Sequence, residues 1–224
     1  MKLCTMFFVL YLVTQSVFAQ TTGSVLGVQP YSALQNYQIG RELEEKSRMN
    51  EAIPYYNEAV GRCMDEISND TASSESYVIL TWTLARQGRY SEVIQWGERG
   101  LRVNTDYRLI ETMGEAYFYL KDYERALNFM QRYVNAVPQG STTATAYFFI
   151  GEIYHLKQHF FHADIAYTTA VRLNPNNSSW WYRLGLSREA TGERVQAIKA
   201  YEQAVKLNPR NQQARDALER AGRG

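Results

Sequence analysis

A five-residue phrase returns at a fixed interval. VRLNP occupies residues 171–175, and VKLNP occupies 205–209, 34 residues later. Such a recurrence marks one structural unit built more than once, and it excludes most folds organised around a single core. Each phrase can be set near the end of a 34-residue frame. Ser178–Asn211 then carries Trp181 at position 4, Leu184 and Gly185 at 7 and 8, Gly192 at 15, Ala197 at 20, Tyr201 at 24, Ala204 at 27 and Pro209 at 32. Ala144–Asn177 carries Tyr147, Ile150, Gly151, Tyr154, Ala163, Tyr167, Ala170 and Pro175 at positions 4, 7, 8, 11, 20, 24, 27 and 32.

The spacing has a physical meaning. Positions 4, 7, 8 and 11 make one stripe of a first helix, and 20, 24 and 27 make one stripe of a second. Gly151 and Gly185 on one helix, with Ala163 and Ala197 on the other, let the pair approach closely. The proline ends the second helix, which it cannot continue. Three weaker frames precede these two. Tyr107–Gly140 keeps Ile110, Met113, Gly114, Tyr117, Tyr123, Ala126 and Pro138. Ser74–Asp106 keeps Tyr77, Leu80, Gly88 and Tyr90, but departs at Thr81, Val93, Gly97 and Gly100. Ala33–Glu66 keeps Ile39, Gly40, Ala52, Tyr56 and Ala59 but has no closing proline.

This pattern resembles the tetratricopeptide repeat (TPR) family: large residue, Leu-Gly and aromatic, then Ala, aromatic, Ala and Pro. The resemblance implies an all-α, right-handed superhelical solenoid of about five TPR helix pairs, at 33–66, 74–106, 107–140, 144–177 and 178–211. Residues 20–32 make a short N-terminal segment, and 67–74 read as a linker whose Ser and Asp can cap the next helix. Residues 212–224 fit a capping helix and tail. Ala214, Ala217, Leu218 and Ala221 face the last repeat there, and Arg215, Asp216, Glu219 and Arg220 face water. Gly97 and Gly100 are expected to allow tight packing on the next repeat; a hinge between frames two and three is the alternative.

The first nineteen residues belong to a different text. Lys2, an apolar run from Leu3 to Val13, and Val17-Phe18-Ala19 predict a secretory signal peptide cut after Ala19. An uncleaved anchor is the lesser alternative, because the apolar run is short for a membrane span. The expected location is exported, periplasmic or secreted. Cys4 stands at the start of the run, in the wrong place for a lipid anchor. That leaves Cys63 as the one cysteine of the mature chain, expected to be buried, with an intermolecular bridge as the alternative. With 24 Lys+Arg against 23 Asp+Glu, nothing in the charge steers the chain towards nucleic acid.

Chemistry is sparse. No phosphate loop, H-E-x-x-H or G-x-S-x-G occurs, so no enzyme and no cofactor is expected. All three histidines lie in HLKQHFFH, residues 155–162, but one ends a first helix, one is in the turn and one opens the second helix. They do not share a helical face, and no metal is expected. His155 instead suits pH-sensitive binding in a groove. N-D-T at 69–71 and N-S-S at 177–179 fit the glycosylation sequon.

In the family, positions 2, 5, 9, 12 and 13 of each first helix line a concave groove. The resemblance therefore implies a partner-binding set of Tyr37, Arg41, Trp82, Arg86, Arg108, Glu111, Glu115, Phe118, Tyr119, Phe148, Glu152, His155, Tyr182 and Glu189, with Glu44 and Val78 beside them. Trp82 and Phe118 are the expected anchors, because aromatic residues dominate binding energy. Arg86 and Arg108 are expected to hold a partner's carboxylates, and Glu111, Glu115 and Glu152 to make an acidic band. Some relatives clamp a peptide's terminal carboxylate with Lys and Asn. Here Tyr37, Arg41 and Arg108 stand at those places, so the clamp is incomplete. The expected function is an exported non-enzymatic scaffold for a protein or peptide partner, in a bacterial envelope complex. Its rivals are a solute-binding or transport accessory protein and a self-assembling structural protein.

Overall fold

The structure, a computed structural model, describes residues 31–223. The expected signal peptide at 1–19 lies outside them. Among the described residues there are eleven helices and no strand. They run in pairs: α1 (Ala33–Glu45) with α2 (Met49–Ser68), α3 (Ser74–Arg86) with α4 (Tyr90–Val103), and α5 (Tyr107–Tyr119) with α6 (Tyr123–Ala136). Then come α7 (Thr143–Leu156) with α8 (Phe160–Leu173) and α9 (Ser178–Ala190) with α10 (Arg194–Leu207), closed by α11 (Gln212–Arg223). Each helix packs on its neighbours in sequence, and α1, α3, α5 and α7 also meet in succession, so the first helices share one face of the solenoid.

Helix ends follow local chemistry. Pro138, Pro175 and Pro209 stand just beyond α6, α8 and α10. No proline closes the first frame, and α2 runs on to Ser68, into the expected linker. Asp106, Asp122 and Asn177 cap α5, α6 and α9 by accepting from backbone N–H groups. The turn inside every pair is the same. Ser47, Gly88, Lys121, Gln158 and Gly192 all stand at position 15 of their frames, with φ between 59° and 83°. In each, that residue's N–H and the next bond back to carbonyls three and five residues earlier, as in Gly88 to Ala85 (3.0 Å) and Arg89 to Leu84 (2.9 Å). This is the Schellman closure, and only two of the five frames use the glycine that favours it.

The ring at position 24 packs on the glycine at position 8. A methyl group added at Gly40 would meet Tyr56 at 2.5 Å, and one at Gly151 would meet Tyr167 at 2.5 Å; Gly185 faces Tyr201 in the same way. All three tyrosines are buried. The second pair departs from the scheme. Thr81 takes the glycine position and Gly97 the tyrosine position, and Met113 of the next repeat closes on Gly97, 2.6 Å from where a methyl group would sit. A flexible thioether fills such a gap readily. Gly100 is similarly occupied by Tyr77 and Leu109. Both glycines therefore serve tight packing, and neither leaves room for a hinge. Cys63 is buried, which pushes its thiol up to about 12, with Glu66 adding to the shift. A bridge between chains through this thiol would need α2 to open.

Gly151→Ala sets two effects against each other. Alanine favours a helix interior by about 1 kcal/mol, and overpacking costs about 1–3 kcal/mol. Tyr167 cannot retreat, because its hydroxyl is tied to Glu152 at 2.5 Å. The expected outcome is a net loss of up to about 2 kcal/mol in chemical denaturation.

Candidate functional site

The shared face of the first helices holds a cavity of about 720 Å³. Tyr37, Arg41 and Glu44 of α1, Trp82 and Arg86 of α3, and Arg108, Glu111, Thr112, Glu115 and Tyr119 of α5 line it. Tyr90 at the start of α4 joins them, with Tyr133, Ser141, Thr142 and Thr145 on the far wall. The aromatic lining is ordered. Trp82 stacks on Tyr37 at 5.6 Å, Arg108 lies over the Trp82 ring, and Tyr90 stacks on Tyr119 at 4.6 Å. Tyr133 is fixed by a 2.8 Å hydrogen bond with Thr142.

Charge is distributed unevenly. Every arginine on the lining already has a carboxylate of this chain. Arg41 pairs with Glu45, Arg86 makes two hydrogen bonds to Glu44 (2.6 and 3.0 Å), and Arg108 bonds Asp106 and Glu75 (2.8 and 2.7 Å). Arg86 holds the Glu44 carboxyl below its usual range, and Arg108 does the same for Asp106. Arg86 and Arg108, expected to hold a partner's carboxylates, thus already bond acids of this chain. The acids differ. Glu111 is only 8% exposed, and no ion pair among the described residues reaches it or Glu115. Burial pushes Glu111 up to about 8, with Glu115 adding repulsion. Burial raises Glu115 too, against the pull of Arg86.

The remaining expected residues lie elsewhere. Phe118 does not line the cavity. Its ring packs on Phe149 at 5.0 Å and Tyr123 at 5.8 Å, between α5, α6 and α7. Phe148 stacks on Trp180 at 5.1 Å, and Val78 is fully buried in the core. Tyr182 sits against Tyr201. His155 shares a 3.2 Å hydrogen bond with Ser187, and burial lowers its pKa, with Arg183 in support. His159 and His162 turn to the ring of Tyr154 instead.

Glu152 and Glu189 belong to a recurring structural device. A buried tyrosine hydroxyl donates to a glutamate of its own pair, and an arginine of the next unit closes on the same carboxylate. It is built as Tyr56, Glu44 and Arg86; as Tyr167, Glu152 and Arg183; and as Tyr201, Glu189 and Arg220. Sequence reasoning missed this device, since each arginine lies 31 or more residues from its acid. It also missed Tyr90 and Tyr133 of second helices, Thr142 of the segment between repeats, and Thr145 in the first turn of α7.

Family models described as tetratricopeptide repeat match residues 36–63, 112–140, 144–177 and 178–211, together more than half of the chain. Solved structures share the fold at low identity. YrrB, a TPR protein with an unusual peptide-binding site, aligns with a TM-score of 0.57 and 18% identity, over 84% of this chain and 92% of its own. MamA from Desulfovibrio magneticus RS-1 aligns at 0.58 and 19%, over 80% and 97%. A chain of the APC/C Cut9–Hcn1 hetero-tetramer aligns at 0.60 and 16%, over 95% of this chain and 45% of its own. A comparison with curated proteins finds no match.

Proposed function

Because this chain belongs to the tetratricopeptide repeat family, we propose that it is an exported, non-enzymatic scaffold that binds a protein or peptide partner on the face of its first helices, within a bacterial envelope complex. The observation that carries the reading is the cavity beside Trp82 and Tyr119. It is large, walled by aromatic rings, and holds Glu111 and Glu115, which make no ion pair among the described residues. Aromatic walls suit a partner's side chains. Export rests on Lys2, the apolar run Leu3–Val13 and Ala19. No helix among the described residues is long and apolar enough to cross a membrane. A small solute is the second reading, favoured by a cavity volume within the range of small-ligand sites.

The test is a capture experiment. The full chain is immobilised, envelope extract is passed over it at low salt, and retained proteins are identified by mass spectrometry. The control is a Trp82→Ala, Tyr119→Ala variant with unchanged circular dichroism. A protein retained by the parent and lost by the variant is the expected result. Equal retention by both would remove the cavity from the function. The export claim is read separately, as an N-terminus beginning at Gln20 in protein recovered from the periplasm.

A further inference from the structure

The three tyrosine–glutamate–arginine sets leave a gap in the middle of the stack. Glu115 stands at position 9 of its frame, the position Glu152 holds in the next. Around Glu152 the fold supplies the Tyr167 hydroxyl at position 24 and the Arg183 guanidinium at position 6 of the following repeat. Around Glu115 the same two positions hold Met130 and Phe149, which offer neither a proton nor a charge. One turn back on the same helix, Glu111 lines the cavity and is nine-tenths buried. Among the described residues the donor beside it is the Thr112 hydroxyl, and that hydroxyl bonds the Arg108 carbonyl at 2.8 Å. A buried carboxylate without a partner is costly, and two side by side cost more. The cavity is where a ligand can supply what the repeat omits.

We propose that this cavity takes a lysine or arginine side chain of a bound peptide, with its cationic head at Glu111 and Glu115 and its stem against Tyr90 and Tyr119. The proposal rests on the groove reading above and names what the groove selects. One feature favours a peptide side chain over a small free amine: aromatic walls hold an aliphatic stem as well as a cation. The arginines are less suited to recruiting an acidic peptide, since each already pairs with an acid of this chain.

Panning displayed random dodecapeptides against the full chain tests this. The probes are the enriched peptides, resynthesised with each Lys or Arg replaced by norleucine. The expected result is a basic residue enriched at one position, whose replacement weakens binding about tenfold or more, the scale of a desolvated charge-assisted contact. Glu111→Gln with Glu115→Gln should remove that same tenfold, so that the two changes together lose no more than either alone. Binding should also tighten as pH rises from 6 to 9, because the cation replaces a proton on the acid pair. The other titratable or charged groups facing that pair are Arg86, Tyr119, Arg108, Tyr90, Arg41, Glu44, Tyr37 and Tyr133, so Arg86→Gln is the control for their contribution.

Peptides that need Trp82 yet show no basic preference would overturn this inference and leave the groove reading standing. Basic peptides that bind the Glu111→Gln, Glu115→Gln variant equally well would overturn it too, as surface attraction. No enriched peptide at all would overturn both. A melting curve of the variant shows that it is folded.

Discussion

Arg183→Met is expected to lower the melting temperature by about 5–10 °C, the shift of a loss of about 2–3 kcal/mol in a chain of this size. The Glu152 side chain is 14% exposed and accepts from the Arg183 guanidinium and the Tyr167 hydroxyl. Removing the arginine leaves a charge in a site built to neutralise it, and methionine fills the volume without the charge. The penalty for a fully buried orphan charge is about 3–5 kcal/mol, and the partial exposure here brings it to the lower figure. Glu152→Gln added to Arg183→Met should restore most of the loss, since a neutral amide still accepts from Tyr167. A single variant that melts within a degree or two of the parent would show the triad to be ornamental. Because repeats contact only their neighbours, the damage should concentrate where the fourth unit meets the fifth, and hydrogen exchange would register it there.

The acid pair on α5 should behave in the opposite sense: Glu111→Gln with Glu115→Gln should stabilise the free protein. Glu111 has its folded-state pKa raised to about 8 from an ordinary 4.5 by burial and by Glu115. The folded state then holds a proton that the unfolded chain has released. Stability is therefore present at low pH and is lost as pH climbs from about 4.5 to about 8. At neutral pH the cost is about 2–3 kcal/mol, and the amide variant escapes it. His155 acts the other way below pH 6.5, because its depressed pKa resists charging. The clean comparison thus lies between pH 6.5 and 8.5. The parent should lose stability across that window while the variant stays nearly flat. Parallel curves would mean that the pair is solvated in solution. A site that costs the fold stability in this way is the usual sign of a surface kept for binding.

Much of the fold could be read from the chain's periodicity. Gly151 and Tyr167, or Gly185 and Tyr201, announce themselves at positions 8 and 24 because close helix contact demands small against large. The second repeat departs from it: Gly97 stands where the ring would be, and Met113 of the next repeat fills the space. A motif match sees only the departure and not the side chain from the next repeat that answers it. The site was half legible. Tyr37, Arg41, Trp82, Arg86, Arg108, Glu111, Glu115 and Tyr119 do line one cavity. Which of them carry free charge was not legible, since Glu44 and Arg86 are 42 residues apart and meet only through the stacking of whole repeats. Phe118 was misplaced for a related reason. Groove position 12 lies at the rim of the stripe, and the ring turns inward because Phe149 and Tyr123 offer it an apolar contact.

The five turns at position 15 bear on how such a chain grows. Ser47, Lys121 and Gln158 adopt the same left-handed backbone as Gly88 and Gly192, and the same pair of carbonyls receives the N–H groups in all five. Direction reversal is a property of the unit's length, not of a privileged side chain. A copy of residues 144–177 spliced in after Asn177 would bring its own reversal and its own closing proline, and it would meet both neighbours through faces they already present. Array length is in that sense a dial, turned by duplication in steps of 34 residues. The near-identical phrases at 171–175 and 205–209 are what one such step leaves in the text.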